Sequence, residues 1–216
     1  MTRPLLLGHR GARASRNIPE NTLESFELCL QHGCDGFEFD VRRSADGQAV
    51  VCHDPVVRRM VIVKTPAAVL VLPTLGEVLR LFGERAFLDI ELKVAGLEQD
   101  TIALLRQHSP RKGYVVSSFK PEILTALHGF DPTIPLGYIC DRRDELDRWR
   151  ELPVAWVIPQ FEVVYETLIE QVQASGKKVM VWTVNRQDRM RQFVELGVDA
   201  IISDETKVAA QALAGQ

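Results

Sequence analysis

A repeated alternation of short apolar runs and amphipathic stretches constrains the fold of this chain more than any other feature of its sequence. Apolar runs of strand length occur at about residues 86–92, 114–118, 135–139, 154–159, 178–184 and 199–203. Stretches with helical spacing of apolar residues follow them at about residues 97–108, 121–129, 142–150, 164–175, 187–196 and 206–213. Alternating strands and helices predict a parallel sheet, because each helix returns the chain to the edge where the next strand begins.

Two further strand–helix units precede this series. Residues 5–8 form an apolar strand, and the helix after it opens with Pro19-Glu20-Asn21-Thr22. Residues 36–41 form the second strand, and the helix that follows its hairpin begins at Thr74, where Glu77 three residues later completes the spacing of a capping box. About eight strands, each followed by a helix, predict an α/β fold of the closed (β/α)8 TIM barrel type.

The whole chain is expected to form one domain. No Gly/Ser-rich linker or break in composition divides residues 1–216, and 216 residues lie near the short end of the size range of such barrels. The alternative fold is a doubly wound open sheet, but no glycine-rich dinucleotide loop follows the first strand. Residues 55–72 are apolar without a clear period, and we expect a short insertion or flap near the site whose conformation the sequence leaves open.

The second strand continues into a predicted β-hairpin at the catalytic rim. Asp46-Gly47 lies between two alternating apolar runs, which is a strong hairpin signal. If these two residues form the loop, Asp40 lies opposite His53. Glu38 and Asp40 share one face of the strand because side chains alternate along it. The apolar residues between them indicate that the other face is buried too, so the carboxylates are expected to point into a barrel or cleft beside a cation or another strong partner.

Barrel enzymes carry their reacting groups at the C-terminal ends of the strands, and this rule gathers one polar set. The set is His9, Arg10, Glu38, Asp40, His53, Glu91, Lys93, Ser118 and Trp182. Glu38, Asp40 and Glu91 offer only oxygen ligands, which suits one divalent cation, Mg²⁺ or Ca²⁺. Asp89 is in phase with Glu91 and is either a weaker ligand or a residue that orients its neighbours.

The remaining members of the set suggest proton transfer and phosphate binding. His9 and His53 beside a metal can supply a general acid and a general base, although a lone histidine is more commonly structural or a ligand. Arg10 and Lys93 would form an anion clamp with a divalent ion, or balance the charge of the acids, and the two roles are compatible. Trp182 either lines an organic part of a substrate or packs in the core.

Composition narrows the classes of partner. The net charge of −3 gives no broad electrostatic attraction for nucleic acid, so any phosphate recognition must be local. The four cysteines show no CxxC pairing and are expected to be reduced thiols. No secretory apolar region and no apolar run of membrane-spanning length is present. We expect a cytoplasmic protein that acts on a small molecule without stable membrane insertion, and the oligomeric state stays open.

Several short motifs occur in a fixed order along the chain. They are His9-Arg10-Gly11, Pro19-Glu20-Asn21-Thr22, Glu38-Phe39-Asp40-Val41, Asp46-Gly47, Val50-Val51-Cys52-His53-Asp54 and Asp89-Ile90-Glu91-Leu92-Lys93. In this order they resemble the motifs of the glycerophosphodiester phosphodiesterase family. Residues 116–119, 181–185 and 197–204 also fit, less specifically, so that the resemblance covers nearly the whole chain.

The resemblance implies a TIM barrel of lipid and glycerol metabolism that hydrolyses glycerophosphodiesters to an alcohol and glycerol 3-phosphate. It implies that His9 and His53 are the acid/base pair, that Glu38, Asp40 and Glu91 hold the metal, that Arg10 and Lys93 contact the phosphate, and that Trp182 lines the glycerol side. In the implied mechanism the glycerol 2-hydroxyl attacks phosphorus and a cyclic phosphate is then hydrolysed. The two histidines exchange acid and base duties between the two halves.

The chain departs from the family pattern after His53-Asp54. Family members usually carry a longer insertion there, commonly with Arg-Thr-Thr, whereas Arg59 is here followed by Met60-Val61 in a short apolar insertion. This departure concerns head-group specificity and removes none of the expected catalytic groups. Two alternatives remain open: a lysophospholipase D-type activity with residues 60–72 as a shelf for an acyl chain, and a catalytically silent barrel that binds phosphate ligands.

Overall fold

Eight parallel strands close into a barrel in the computed structural model of this chain, which describes residues 3–213. All strands in chain order are β1 (Leu5–Gly8), β2 (Gly36–Arg43), β3 (Ala49–Val51), β4 (Val56–Val57), β5 (Met60–Val61), β6 (Phe87–Leu92), β7 (Tyr114–Ser118), β8 (Leu136–Cys140), β9 (Trp156–Pro159), β10 (Lys178–Val181) and β11 (Ala200–Ser203). Around the barrel the order is β1-β11-β10-β9-β8-β7-β6-β2, and β2 pairs with β1 to close it. The predicted TIM barrel is therefore confirmed against the open sheet. Residues 1–2 and 214–216 of the expected domain lie outside the described residues.

Helices surround the barrel close to their predicted positions. They are α1 (Leu23–Gln31), α2 (Ala67–Leu70), α3 (Leu75–Phe82), α4 (Glu98–Gln107), α5 (Pro121–Phe130), α6 (Glu166–Ala174), α7 (Gln187–Glu195) and α8 (Thr206–Leu213). Thr22 caps α1 by accepting a hydrogen bond from the backbone of Ser25, and Thr74 forms the predicted capping box with Glu77 at the start of α3. Within residues 3–213, none of these helices is long and apolar enough to cross a membrane.

One predicted helix is replaced by a shorter structure. Residues 142–150 do not form an α-helix, and only a 3-10 helix, Leu146–Arg150, follows β8. Its two buried side chains, Leu146 and Trp149, are three residues apart, which matches the three residues per turn of a 3-10 helix. Pro153 follows shortly afterwards and prevents the helix from extending further.

The predicted hairpin of β2 and β3 exists, but its expected register is wrong by one residue. The loop holds three residues, 45–47, instead of two, and Gly47 takes the left-handed conformation (φ +82°) that such a loop needs in its last position. Asp40 consequently lies opposite Cys52, whose backbone N–H donates to the Asp40 carbonyl at 2.9 Å. His53, the expected partner of Asp40, comes one residue later.

Residues 55–72, here called the rim segment, fold into a small unit beside this hairpin. The antiparallel pair β4–β5 is followed by a 3-10 helix (Ile62–Lys64) and by the single-turn helix α2. Ile62 and Leu70 of the segment are buried against Val50 of β3. The apolar residues of the segment thus divide between this small cluster and the exposed surface.

The two faces of β2 contact different parts of the protein: one packs against the helices, and the other faces the barrel interior. Phe37, Phe39 and Val41 face the helices, where Phe37 stacks on Phe26 of α1 with ring centroids 4.2 Å apart. A separate cluster that includes Leu7, Val115 and other strand residues fills the barrel interior. Because side chains alternate along β2, Glu38 and Asp40 point to the interior side, as the sequence predicts.

Candidate active site

Residues near the C-terminal ends of the barrel strands line one pocket. Its lining residues are His9, Arg10, Glu38, His53, Asp89, Glu91, Lys93, Phe119, Ile139, Ile158, Trp182 and Ile202. Most of the polar set expected from the sequence is therefore together. Asp40 is buried beside the lining and touches two of its cations. Ser118 is the exception, because its buried hydroxyl donates to the Leu92 carbonyl at 2.8 Å and does not face the pocket.

Three carboxylates from two adjacent strands form the centre of the site. The parallel register of β2 and β6 places Asp40 opposite Glu91 and Glu38 opposite Asp89. One oxygen from each of Glu38, Asp40 and Glu91 lies within 4.8 Å of the others, and all three side chains are buried. The predicted all-oxygen trio is thus brought together by the pairing of the strands.

Burial and mutual repulsion make this cluster hard to ionise fully. Burial, followed by the negative charge of Asp40, raises the pKa of Glu91 to about 8. The same causes raise the pKa of Glu38 well above its usual value. Burial also raises the pKa of Asp89 to about 7, against a hydrogen bond from Ser117. Without a further cation, the site therefore retains protons on its acids near neutral pH.

Two cationic side chains, those of Lys93 and Arg10, contact the acids. Their charges favour the ionised form of Asp40. Lys93 Nζ lies 2.7 Å from Glu91 Oε1 and 3.3 Å from Asp40 Oδ1. Arg10 Nε lies 3.3 Å from Asp40 Oδ2. Burial would raise the pKa of Asp40, but the charges of Lys93 and Arg10 outweigh it and lower that pKa below its usual value. For Lys93, burial opposes its charge, yet Glu91 and Asp40 raise its pKa.

The loop after β1 supplies supports that sequence reasoning did not assign. Asn21, at φ +57°, donates from Nδ2 to Asp40 Oδ2 at 2.8 Å, and Glu20 accepts from Arg10 Nη1 at 2.8 Å. Gly11 turns the chain at φ +81°, where a Cβ atom would collide with Ser25 of α1. Glu20 and Asn21 belong to the Pro-Glu-Asn-Thr motif, so the motif was visible although these two roles were not.

His9 is held by residues from the other end of the chain. Its Nδ1 lies 2.7 Å from Asp204 Oδ1, and its Nε2 lies 3.9 Å from Glu38 Oε2. Asn185 donates from Nδ2 to the second oxygen of Asp204 at 2.8 Å, and Arg13 Nη1 donates to the first at 3.2 Å. Burial would raise the pKa of Asp204, but the hydrogen bond and charge of His9 together with these donors lower it to about 2. Asp204 is therefore a permanent anion behind His9.

His53 is held less firmly than His9. Its Nδ1 lies 2.8 Å from Oδ1 of the exposed neighbour Asp54. Its backbone carbonyl accepts from Arg42 Nε at 2.7 Å, which fixes the chain where β3 ends. The His53 side chain is 33% exposed, compared with 11% for His9, so one histidine lies inside the site and the other at its edge.

Trp182 lies beside His9 on the apolar wall of the pocket. Its indole Nε1 donates to the Ile158 carbonyl at 3.0 Å, which fixes the ring plane. The ring lies 6.5 Å from that of His9 and meets Phe119 edge-on at 5.6 Å. The indole therefore packs against its neighbours and also lines the pocket.

The donor set fits a hard divalent cation. Among the described residues, buried Glu38 Oε1 has no hydrogen-bond partner, although Glu38 Oε2 accepts from the Arg10 backbone at 3.0 Å. A further positive charge beside Lys93 and Arg10 would favour the ionised forms of Glu38 and Glu91 together with that of Asp40. Carboxylate oxygens at this spacing, without cysteine, are ligands that Mg²⁺ and Ca²⁺ accept.

Comparisons with known proteins agree with this geometry. The model of the glycerophosphoryl diester phosphodiesterase family matches residues 9–93 and 81–208 of the chain. The chain belongs to this family. A glycerophosphodiester phosphodiesterase of Caldanaerobacter subterraneus subsp. tengcongensis is 29% identical over 93% of the chain and 94% of that relative. The match extends over the length of both proteins, as expected for members of one phosphodiesterase family.

Solved phosphodiesterase structures share the fold. An Oleispira antarctica phosphodiesterase, solved in complex with the product sn-glycerol-3-phosphate, is 30% identical, with a TM-score of 0.85 over 98% of this chain and 97% of that one. The glycerophosphodiester phosphodiesterase of Thermotoga maritima superposes with a TM-score of 0.84 at 24% identity, over 98% of this chain and 99% of that one. The second similarity concerns the barrel fold alone.

Proposed function

We propose that this chain hydrolyses glycerophosphodiesters to an alcohol and glycerol 3-phosphate. The observation that carries the proposal is the meeting of Glu38, Asp40 and Glu91 within 4.8 Å, in a pocket lined by His9 and His53. Family membership and the product complex of the Oleispira relative support the same substrate class. A barrel that only binds phosphate would have no use for two imidazoles beside a cation site.

Arg10 and Lys93 are proposed to bind the phosphate. Lys93 has three N–H donors and Arg10 has five, and their contacts with Glu20, Asp40 and Glu91 leave donors for phosphoryl oxygens. A divalent cation held by the three carboxylates would add Lewis-acid polarisation of a phosphoryl oxygen. Such an ion would favour the ionised forms of Glu38 and Glu91, whose pKa values burial raises.

The two histidines are proposed to move the protons. In the first half, one imidazole takes the proton of the glycerol 2-hydroxyl as its oxygen bonds to phosphorus, and the other protonates the alcohol oxygen as the P–O bond breaks. In the second half, the roles reverse while water opens the cyclic phosphate to glycerol 3-phosphate. Asp204 and Asp54 bind the Nδ1 atoms, which leaves each Nε2 for this exchange. Trp182 is proposed to line the glycerol side.

A head-group panel tests the proposal. Purified protein is assayed for glycerol 3-phosphate release from the choline, ethanolamine and glycerol diesters, with Mg²⁺, with Ca²⁺ and after chelation. We expect release that depends on the ion and returns when it is restored. Hydrolysis that chelation leaves unchanged would contradict the metal-assisted mechanism. Absence of release from every diester, with either ion, would contradict the activity.

A lysophospholipase D-type activity is the second candidate. It is favoured by the exposed apolar side chains of the rim segment, which begins two residues after His53. The same assay with lysophosphatidylcholine beside glycerophosphocholine separates the two functions. Turnover of the lysolipid alone would replace the leading proposal, whereas turnover of the water-soluble diester supports it.

A further inference from the structure

Most of the exposed large apolar side chains among residues 3–213 belong to the rim segment. Seven large apolar side chains are exposed among the described residues, and five of them belong to this segment. These five are Val56, Val61, Val63, Val69 and Val71, with exposed fractions from 37% to 73%. Such a concentration of apolar side chains in so short a stretch marks a binding surface.

The exposed valines of the rim segment are neighbours of residues whose side chains are packed in the small apolar cluster beside β3. Val56 and Val61 lie opposite each other on β4 and β5 and are both exposed, whereas Val57 and Met60 pack against the small cluster of Val50, Ile62 and Leu70. Val63 adjoins Ile62 in sequence, and Val69 and Val71 adjoin Leu70. The buried residues therefore fix the backbone from which the exposed valines project.

The segment also has a charge opposite in sign to that of the whole chain. Arg58, Arg59 and Lys64 are exposed, and no acidic residue occurs from residue 55 to residue 76. The chain as a whole has a net charge of −3. The exposed valines thus alternate in sequence with basic residues that form no ion pair among residues 3–213, although Asp46 lies against the segment through a hydrogen bond from the Ala67 backbone.

The turn between β4 and β5 holds arginine where the backbone favours other residues. Arg58 and Arg59 both have positive φ, at +48° and +67°. Two-residue hairpin turns of this kind strongly prefer Asn-Gly, because a larger side chain is strained in the left-handed conformation. The backbone geometry therefore does not explain this pair, whose side chains are exposed.

We propose that the rim segment docks this protein onto an anionic lipid membrane surface. Clustered basic residues attract anionic headgroups, and the apolar side chains between them partition into the interface. A second copy of the chain is a poor occupant, because a two-fold interface would place these like charges against one another.

Docking through this segment would hold the catalytic pocket close to lipid headgroups. Pro55 begins the segment two residues after His53, so their Cα atoms are at most about 7.6 Å apart. The docking inference stands on the rim segment alone, and its benefit for catalysis rests on the proposed function. A membrane-derived glycerophosphodiester or lysolipid would then be released beside the site.

Vesicle sedimentation with the full chain tests the proposal. Vesicles of phosphatidylcholine mixed with phosphatidylglycerol should bind the protein at low salt, and vesicles of phosphatidylcholine alone should bind it far less. The double variant Arg58→Asn/Arg59→Gly should bind mixed vesicles about twenty-five-fold more weakly, since each basic side chain near an anionic surface contributes about fivefold. Its Tm should not fall, because the variant has the preferred turn sequence.

Two further variants test whether vesicle binding depends on the valines of the rim segment or on exposed apolar side chains in general. Val63→Ser/Val71→Asn should weaken vesicle binding while the salt dependence persists, and Phe130→Ser, at an exposed apolar position of α5, should bind as the wild type does. Hydrolysis of soluble glycerophosphocholine should be the same in all variants, so a failure of docking is distinguishable from a failure of the proposed activity. Equal binding of wild type and Arg58→Asn/Arg59→Gly would overturn the proposal. So would self-association that this variant abolishes.

Discussion

His9 is held in place by partners that are distant from it in sequence. Its Nδ1 faces the partly buried carboxylate of Asp204, which in turn accepts from Asn185 and Arg13. A carboxylate behind an imidazole fixes the tautomer and the orientation of the ring. His53 has only the exposed Asp54 in the corresponding position. The two histidines therefore have unequal supports, although the sequence presents them alike.

Removal of either imidazole should stop most turnover. We expect His9→Ala and His53→Ala each to lower kcat by about a hundredfold to ten-thousandfold, the usual contribution of a general acid or base. Steady-state kinetics on glycerophosphocholine measures the effect, and circular dichroism checks the fold. His128→Ala, on α5 and outside the pocket, serves as the control. Near-normal rates in both site variants would remove the acid/base assignment.

Asp204→Asn should weaken catalysis through His9. Because the amide cannot balance the charge of a protonated ring, we expect kcat to fall about tenfold to a hundredfold while KM changes little. Asp188→Asn, whose native carboxylate pairs with Arg186 on the surface, should leave kcat unchanged. The tautomer of His9, followed by ¹⁵N NMR, should change only in Asp204→Asn. An unaltered His9 signal in that variant would separate Asp204 from the proposed chemistry.

At the scale of elements, local sequence signals placed most strands and helices. The capping box of Thr74 and Glu77 marks the start of α3, and the strand β7 occupies the predicted residues 114–118. Errors arose where the outcome depends on packing. The loop after β2 has three residues, one more than predicted. Only two side chains are buried within residues 142–150, and this stretch holds a short 3-10 helix in place of the predicted α-helix. Residues 55–72 have no period because their anchors, Ile62 and Leu70, depend on contact with β3.

The cap of α3 has a measurable share in stability. Thr74→Ala removes the acceptor for the Glu77 backbone N–H and should lower the free energy of unfolding by about 1 kcal/mol. For a chain of this size, that loss corresponds to a fall in Tm of roughly 2–4 °C. Differential scanning calorimetry gives both values. Thr125→Ala, at an exposed position within α5, should not lower Tm, since alanine is the better helix former; a loss equal to that of Thr74→Ala would show that capping is not the cause.

At the scale of the whole molecule, the barrel fold predicted which residues lie at the centre of the site. The residues that support them became visible only through tertiary contacts. Strand-end positions predicted that Glu38, Asp40, Glu91 and both histidines share a pocket, because parallel strands end at one face. The roles of Asn21, Asn185 and Asp204 were hidden, although their motifs had been noticed. Each acts through a hydrogen bond across the fold, and no local pattern encodes such a pairing.

Metal binding should stabilise the whole protein more strongly as pH rises. Burial raises the folded-state pKa of Glu91 from 4.5 to about 8 and raises that of Glu38 as well, so the metal-free protein loses stability as pH increases through this range. A divalent ion needs the ionised acids and competes with their protons. We therefore expect Mg²⁺ or Ca²⁺ to raise Tm more near pH 8 than near pH 6. Scanning fluorimetry of wild type and Glu38→Gln tests this, and the variant should show little increment at either pH. A wild-type increment that is larger near pH 6 would contradict it.

The pairing of β1 with β11 has a consequence for the order in which the residues of the site are brought together during translation. His9 precedes its partner Asp204 by 195 residues, so the contact between them can form only after β11 has been synthesised. A nascent chain can bring Glu38, Asp40 and Glu91 together before β11 has been added. At that stage the His9 ring still has no carboxylate beside its Nδ1 atom. Closure of the barrel and the support of His9 are therefore completed together.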